Sequence, residues 1–338
     1  MERLKYVDSM KGFAILFVVF YHLLWICVKD RESAFIPFFN SVCMQLFFFL
    51  SGFVCHRGDN ILHDIWKKTK ALLIPSVLLF SFCVWYYGQD VLSSLLYEFK
   101  SGYWFTYVLF FIFVVHYLCL AVVGKLSKTE ADHRRMVYIL LLLAVAAYIG
   151  HGHAYFFGEW LRCISFSFIL KYYVFFLVGY LCSQHKKLFH NTLSRPVATN
   201  LLPLISTFTV LGLDAIPFGG GKIMSLAISL AQVFTVYRIF FNTDESSRIQ
   251  SWLSFLGRHS LGIYFIHYYL LFGMPELHAF ITNQATLYVF RGPGCQAILE
   301  FACLLPIAIL LCHVSIYVRK FFVMMPVVSV WIFGKPVK

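Results

Sequence analysis

Three ionisable side chains, Asp8, Lys11 and His22, stand in or beside an otherwise apolar stretch near the N-terminus. Within lipid such a group costs roughly 2.5–3.5 kcal/mol at mid-bilayer, so it needs a partner or a water-filled cavity. Imidazole is the side chain whose unperturbed pKa lies nearest neutrality, which makes His22 the candidate general base. An ammonium group such as that of Lys11 is a candidate anion-binding group.

The spacing of these residues places them on related faces of one helix. Asp8 and Lys11 are three positions apart and can pair. At 100° per residue, His22 lies about 20° from directly above Lys11 and roughly 16 Å along the axis. This arrangement suits a long anionic ligand that enters from the cytoplasm, with its charged end on Lys11 and its reactive end at His22. The alternative is that Lys11 snorkels to the headgroups and His22 is a packed, hydrogen-bonded residue.

The composition indicates that this chain is embedded in a lipid membrane. Of its 338 residues 60% are hydrophobic and 13% are charged, whereas soluble domains have about 45–50% and about 25%. The net charge of +12 comes from basic residues in short blocks beside apolar stretches, as in cytoplasmic loops, and does not indicate nucleic-acid binding. Because backbone polar groups must pair internally in lipid and strand alternation is absent, we predict helices.

We therefore predict an all-α polytopic integral membrane protein of about ten transmembrane helices, forming a single transmembrane domain over 1–338. If the N-terminus is inside, most basic residues lie on the cytoplasmic side of the membrane. We therefore predict that both termini are cytoplasmic. The N-terminus lacks a cleavage site and is interpreted as a retained first helix. A cytoplasmic interfacial tail is predicted at 319–338. The predicted spans lie near 10–28, 38–55, 72–88, 103–123, 136–150, 164–182, 197–213, 222–241, 259–274 and 296–318.

The opening segment YVDSMKGFAILFVVFYH resembles the first helix of the acyltransferase-3 family of integral membrane acyltransferases. That pattern is an Asp, a basic residue three positions later, a glycine, and an apolar run that ends in His. The basic residue is usually Arg, and Lys11 is similar to the fucose-4-O-acetylase-like branch. Lysine can still hold a phosphate, without the bidentate geometry of arginine.

Further segments resemble the family in the family's order over nearly the whole chain. They are MQLFFFLSGFVC at 44–55, WKKTKALLIPS at 66–76, YWF at 103–105, YVFFLVGYL at 173–181, LGRHSLGIYFIHYYLL at 256–271 and FGK at 333–335. Each match alone is weak, and their order makes them informative together.

The resemblance implies a membrane O-acyltransferase, expected to be an acetyl-CoA-dependent O-acetyltransferase. It would move an acyl group from cytosolic acyl-CoA to a hydroxyl of a cell-surface polysaccharide or its lipid-linked precursor. His22 would act as general base, and Asp8 would orient or neutralise Lys11, which would also bind the donor. An acyl-His intermediate is the open alternative. Acetyl-CoA is the expected donor, and neither a permanently bound cofactor nor a metal is expected.

Other residues receive roles through the same resemblance. Lys67, Lys68 and Lys70 would meet the CoA phosphates, or they are only a topology signal. The expected acceptor-side residues are Ser51, Trp104, Ser260, Tyr264 and His267. For Ser51 the alternative is helix packing, for Trp104 interfacial anchoring, and for the remaining three a bond to a neighbouring helix.

The expected partners are acyl-CoA, a glycan or glycolipid acceptor and the lipid bilayer, with no nucleic acid. The expected location is the bacterial inner (plasma) membrane, as a multi-pass protein. One alternative function is a membrane transporter or flippase without acyl transfer, in which the intramembrane charges serve a conduction path. Another is a binding or assembly subunit without turnover. Lys171 and Glu300 both need buried partners and can serve each other, and the sequence leaves open whether they form a structural pair or contact the substrate.

Overall fold

A computed structural model describes residues 4–28, 33, 35–56, 58, 60–195, 201, 203–204, 221–244, 246–272 and 293–324. Throughout these residues the secondary structure is helical and contains no strand, which confirms the all-α class. Eight helices in the described part of the chain are long and apolar enough to cross a membrane. The polytopic architecture is therefore confirmed.

The described part of the chain contains the following helices. They are α1 Lys5–His22, α2 Phe35–Phe53, α3 Ile61–Lys68, α4 Ile74–Tyr86, α5 Val91–Leu95, α6 Trp104–Leu126, α7 Glu130–Gly150, α8 Phe166–Gln184, α9 Lys186–Leu193, α10 Lys222–Asn242, α11 Arg248–Arg258, α12 Ser260–Phe272 and α13 Pro293–Val323. Two π-helical segments, Leu23–Val28 and Thr69–Leu73, extend α1 and join α3 to α4. Three 3₁₀ segments are Lys100–Gly102, His151–Phe157 and Glu159–Ile164.

The observed spans differ from the predicted ones mainly at their ends. The third span was predicted to begin at 72, but its helical run begins at Ile61 and includes the basic residues before it. The last helix continues past 318 to Val323. The ninth predicted span is the shorter apolar helix α12. Most of the predicted span 197–213, and the chain after 324, lie outside the described residues.

Two compact units make up the chain. The first comprises Met1–Phe47 and Lys187–Phe321, and the second comprises Phe48–Lys186 and Phe322–Lys338. In the first unit α1, α10, α11, α12 and most of α13 pack together. In the second unit the end of α2 and helices α3 to α8 do so. The single-domain organisation stays a prediction.

In the first unit, α1 and α11 approach each other backbone to backbone. A β-carbon at Gly12 would overlap the carbonyl oxygen of Leu253, and a β-carbon at Gly257 would overlap that of Asp8. Glycine is required at both positions because any side chain would push the helices apart. Small residues serve the same purpose between membrane helices in general.

Polar bonds reinforce this contact near the start of α1. The Ser9 hydroxyl donates to the carbonyl oxygen of Gln250 at 2.9 Å. The Lys5 ammonium donates to the Ser251 hydroxyl at 3.0 Å. These bonds and the two glycines together set the axial register of α11 against α1.

A similar approach occurs in the second unit between α2 and α8. A β-carbon at Gly52 would overlap the carbonyl oxygen of Phe176, and one at Gly179 would overlap that of Phe49. The segments FFFLSGF and FFLVGY therefore contain the glycines that allow these two helices to pack closely.

The α1–α11 contact predicts that Gly257→Ala lowers the melting temperature of the detergent-solubilised protein by several degrees. Overpacking of a tight contact costs about 1–3 kcal/mol, and here the added carbon meets backbone rather than a flexible side chain.

The matched control is Gly124→Ala in α6, where a β-carbon would meet nothing within 4 Å. Alanine favours a helix by about 1 kcal/mol over glycine, so this variant should melt at the wild-type temperature or slightly above it. Equal melting of the two variants would contradict the proposed contact.

Candidate functional site

His22 is the last residue of α1 before the helix widens into the π-helical segment Leu23–Val28. Its side chain is half-buried. Single π-helical turns within α-helices occur frequently at functional sites. His22 thus lies at an irregular point of a helix whose other side chains are mostly apolar.

A second histidine from α12 faces His22. His22 Nδ1 and His267 Nε2 are 2.9 Å apart, which is hydrogen-bonding distance. The ring centroids are 5.1 Å apart and the ring planes are 19° from parallel. His267 is 1% exposed, so this bond joins a half-buried imidazole to a fully buried one.

The surroundings of the pair hold both rings in place. His267 Nδ1 lies 2.9 Å from the carbonyl oxygen of Ile263, one helical turn earlier. The Tyr268 ring meets His22 edge-on, with centroids 5.6 Å apart. The buried Tyr264 ring lies 6.2 Å from the His267 ring. Ser260 is half-buried at the start of the same helix.

Two segments that resemble the family therefore contact each other at both ends. Gly257, which opens the later segment, packs against the backbone of Asp8. His267, near the end of that segment, bonds to His22. The path from Gly257 to His267 consequently runs in the same direction as α1 from Asp8 to His22.

The other ionisable residues of α1 lie on the same uninterrupted helix as His22. Asp8 is buried and Lys11 is half-buried. A continuous α-helix over these positions retains the expected offset of about 20° and roughly 16 Å between Lys11 and His22. The roles predicted for Asp8 and Lys11 stay predictions.

The three lysines predicted to meet the CoA phosphates differ in their environments. All three lie on the helical run Ile61–Tyr86, not in a loop before it. Lys67 and Lys70 are exposed, and Lys70 lies 5.6 Å from the centroid of the exposed Trp66 ring. Lys68 is half-buried, and its ammonium lies 3.9 Å above the Phe113 ring of α6. Only Lys68 of the three therefore points into the second unit.

Trp104, a predicted acceptor-side residue, belongs to an aromatic cluster in the second unit. Its ring stacks on Tyr172 with centroids 5.4 Å apart and lies 4.7 Å from Phe168. It is half-buried. Ser51, also half-buried, adjoins Gly52 at the α2–α8 contact. For neither residue does this placement test a role in acceptor binding.

A buried lysine closes the loop that leads into Trp104. The Lys100 ammonium donates to the carbonyl oxygens of Leu95 at 2.5 Å, Tyr97 at 3.1 Å and Arg162 at 2.9 Å. Burial lowers the pKa of Lys100 to about 8. Two of these bonds lie within the loop and the third ties it to the 3₁₀ segment Glu159–Ile164, so the contacts of Lys100 are structural.

Lys171 and Glu300, whose partners the sequence left open, each have a neighbour within their own unit. Lys171 lies 5.3 Å from the Tyr172 ring and near Glu98. Burial raises the pKa of Glu98, and nearby cations, Lys171 among them, oppose that rise. Glu300 accepts a hydrogen bond from the Ser33 hydroxyl at 2.7 Å.

The sequence did not reveal the residues that orient the pair. His267 was predicted as an acceptor-side residue, with a bond to a neighbouring helix as the alternative, and the structure shows such a bond to α1. Neither the Ile263 carbonyl nor Tyr268 was considered. The available signal was a histidine in each of two separate apolar segments, without any indication that they meet.

A family model described as "Acyltransferase domain" matches residues 4–317. No curated protein and no solved structure matches the chain. The matched range contains α1, both histidines of the pair, and the three lysines of the second unit.

Proposed function

The chain belongs to the acyltransferase-3 family, and from this membership we propose that it is an acetyl-CoA-dependent O-acetyltransferase. It is a multi-pass membrane acyltransferase. The proposed acceptor is a hydroxyl of a cell-surface polysaccharide or of its lipid-linked precursor. The observation that carries the proposal is the hydrogen bond between His22 and His267, which places an oriented imidazole within a membrane helix.

In the proposed reaction, His22 removes the proton of the acceptor hydroxyl as the oxygen attacks the thioester carbonyl. The new C–O ester bond forms, the C–S bond breaks, and the proton passes from His22 to the CoA sulfur. General-base assistance of this kind contributes roughly 10²–10⁴ in rate. An acyl-His intermediate would use the same imidazole as nucleophile and is the alternative within this proposal.

Donor binding is proposed for Lys11 in the first unit and, as a separate proposal, for the lysines of the second unit. Lys11 would hold an anionic part of the donor, and Asp8 would orient or partly neutralise it. Among the lysines of the second unit, the proposal favours Lys68, because its ammonium is half-buried over Phe113 while Lys67 and Lys70 face outward. The outward pair would serve the ordinary role of basic residues at a membrane surface.

The remaining proposals concern the acceptor and the membrane. Ser260 and Tyr264 lie on α12 with His267 and are proposed to contact the acceptor. A separate proposal from the resemblance gives acceptor contact to Ser51 and Trp104 of the second unit. The distribution of basic residues supports an orientation with the Lys11 end of α1 at the cytoplasmic side, where acyl-CoA is available. The proposed location is the bacterial inner membrane.

The proposal predicts that His22→Ala lowers kcat for glycan acetylation by roughly 10²–10⁴, because the general base is lost. The KM for acetyl-CoA should change little, since the charged groups assigned to the donor remain. The measurement is transfer of label from acetyl-CoA to native glycan in membranes that contain the full chain.

The control is His313→Ala in α13. This histidine bonds to the Ile309 carbonyl at 2.8 Å and to Trp252 Nε1 at 3.4 Å, and it has no part in the proposed chemistry. Its replacement should leave acetylation near the wild-type rate. Undiminished acetylation by His22→Ala would refute the role of His22.

A further prediction separates the three lysines. Lys68→Met should raise the KM for acetyl-CoA by roughly tenfold or more, because a hydrogen bond to a charged group contributes about 1.5–3 kcal/mol. Lys67→Met and Lys70→Met should remain within about twofold of wild type, as expected for exposed charges. Equal effects at all three positions would contradict the assignment of Lys68.

A further inference from the structure

We infer that His267 is a positioning residue that keeps a proton on Nδ1 of His22 and leaves Nε2 of His22 as the basic lone pair. The inference rests on the proposed function, in which His22 is the general base. It concerns the orientation and tautomer of that base.

The tautomer of His267 follows from its bond to a backbone carbonyl. The Ile263 oxygen lies 2.9 Å from His267 Nδ1, and a carbonyl oxygen can only accept a hydrogen bond. His267 Nδ1 therefore carries a proton, and in the neutral ring Nε2 is left as an acceptor.

The tautomer of His22 follows from that of His267. His267 Nε2 lies 2.9 Å from His22 Nδ1. Because His267 Nε2 accepts, His22 Nδ1 must donate, and the proton of neutral His22 is on Nδ1. The lone pair of His22 is consequently on Nε2, on the side of the ring away from His267, where a hydroxyl proton can be taken up.

The burial of the two rings separates their roles. His267 is 1% exposed and both its ring nitrogens are engaged, so it is not available to the acceptor. His22 is half-buried, and its Nδ1 is occupied by His267. The ring that substrate can reach is therefore His22, and the ring that orients it is His267.

The bond also favours the charged form of His22 during the reaction. When Nε2 takes the proton of the hydroxyl, Nδ1–H becomes the donor of an imidazolium, and a charged donor makes a stronger hydrogen bond. His267 itself stays neutral, because two like charges at this distance repel each other. A neutral imidazole would thus do here what a carboxylate does in a Ser-His-Asp triad.

His313 provides an internal comparison. Its Nδ1 bonds to the carbonyl of Ile309, one turn earlier, as His267 Nδ1 does to Ile263. Its Nε2 accepts from Trp252 Nε1 instead of from a second imidazole. Both His267 and His313 carry the proton on Nδ1. They differ in the donor to Nε2, which is His22 Nδ1 for His267 and Trp252 Nε1 for His313.

The test compares two amides at position 267 in the full chain. In His267→Gln the amide lies where Nε2 was, so its oxygen can accept from His22. In His267→Asn the amide lies where Nδ1 was, so the bond to Ile263 can persist while the acceptor for His22 is lost. We expect His267→Gln to retain kcat within about tenfold and His267→Asn to lose about 10²-fold or more, with the KM for acetyl-CoA unchanged in both.

The controls are His313→Gln and His313→Asn, which should both acetylate at the wild-type rate. Acetyl-CoA binding by each preparation reports whether the variant is folded. Equal kcat values for the two variants at 267, whether both high or both low, would overturn the inference. Activity retained by His22→Ala would instead refute the proposed role of His22 as general base, so the two failures are distinguishable.

A second measurement does not depend on any variant that must remain active. Nitrogen chemical shifts of ¹⁵N-histidine-labelled wild-type protein in lipid distinguish the two neutral tautomers, and a spectrum of His22→Ala assigns the signal. We expect His22 to be protonated at Nδ1. A His22 signal with the proton on Nε2 would overturn the inference.

Discussion

The close approach of α1 and α11 at Gly12 and Gly257 is the contact on which the geometry of the site depends. With the two backbones in contact there, the axial position of α11 relative to α1 is set, and α12 continues from it after His259. This register brings His267 level with His22. A displacement of one helical turn, about 5.4 Å, would move His267 away from hydrogen-bonding distance.

The low polarity of the membrane interior explains why the two histidines are neutral and hydrogen-bonded. A charged group there is costly, and a polar group without a bonding partner is costly as well. Two neutral imidazoles joined to each other and to a backbone carbonyl meet both constraints, since His267 has a partner at each nitrogen. In the inferred tautomer the lone pair of His22 is on Nε2, where the proposed base needs it. Thus the bonds that give the histidines partners in lipid also orient the atom that is proposed to react.

The second unit contains two lysines near apolar groups, and their ammonium groups have different contacts. Lys100 satisfies three backbone carbonyls and closes a loop, whereas the half-buried Lys68 lies over an aromatic ring. Both contacts use a lysine near apolar surroundings, but they differ in what the ammonium does. Lys100 is fully engaged by backbone acceptors, so its contribution is structural. The Lys68 ammonium lies over the Phe113 ring. In the proposed function its positive charge would attract the anionic donor.

The sequence by itself determined the membrane class, the helical architecture and the helical offset between Lys11 and His22, because composition and helical periodicity are local properties. The family followed from the ordered resemblance of several segments. The sequence placed the start of the third span at 72, whereas the helical run begins at Ile61, since a hydropathy pattern stops at charged residues while helical hydrogen bonding continues through them. Only the tertiary structure paired His22 with a histidine 245 positions away and separated Lys68 from Lys67 and Lys70. The periodicity of one helix carries no information on which neighbour packs against it, so these assignments required the packed helices.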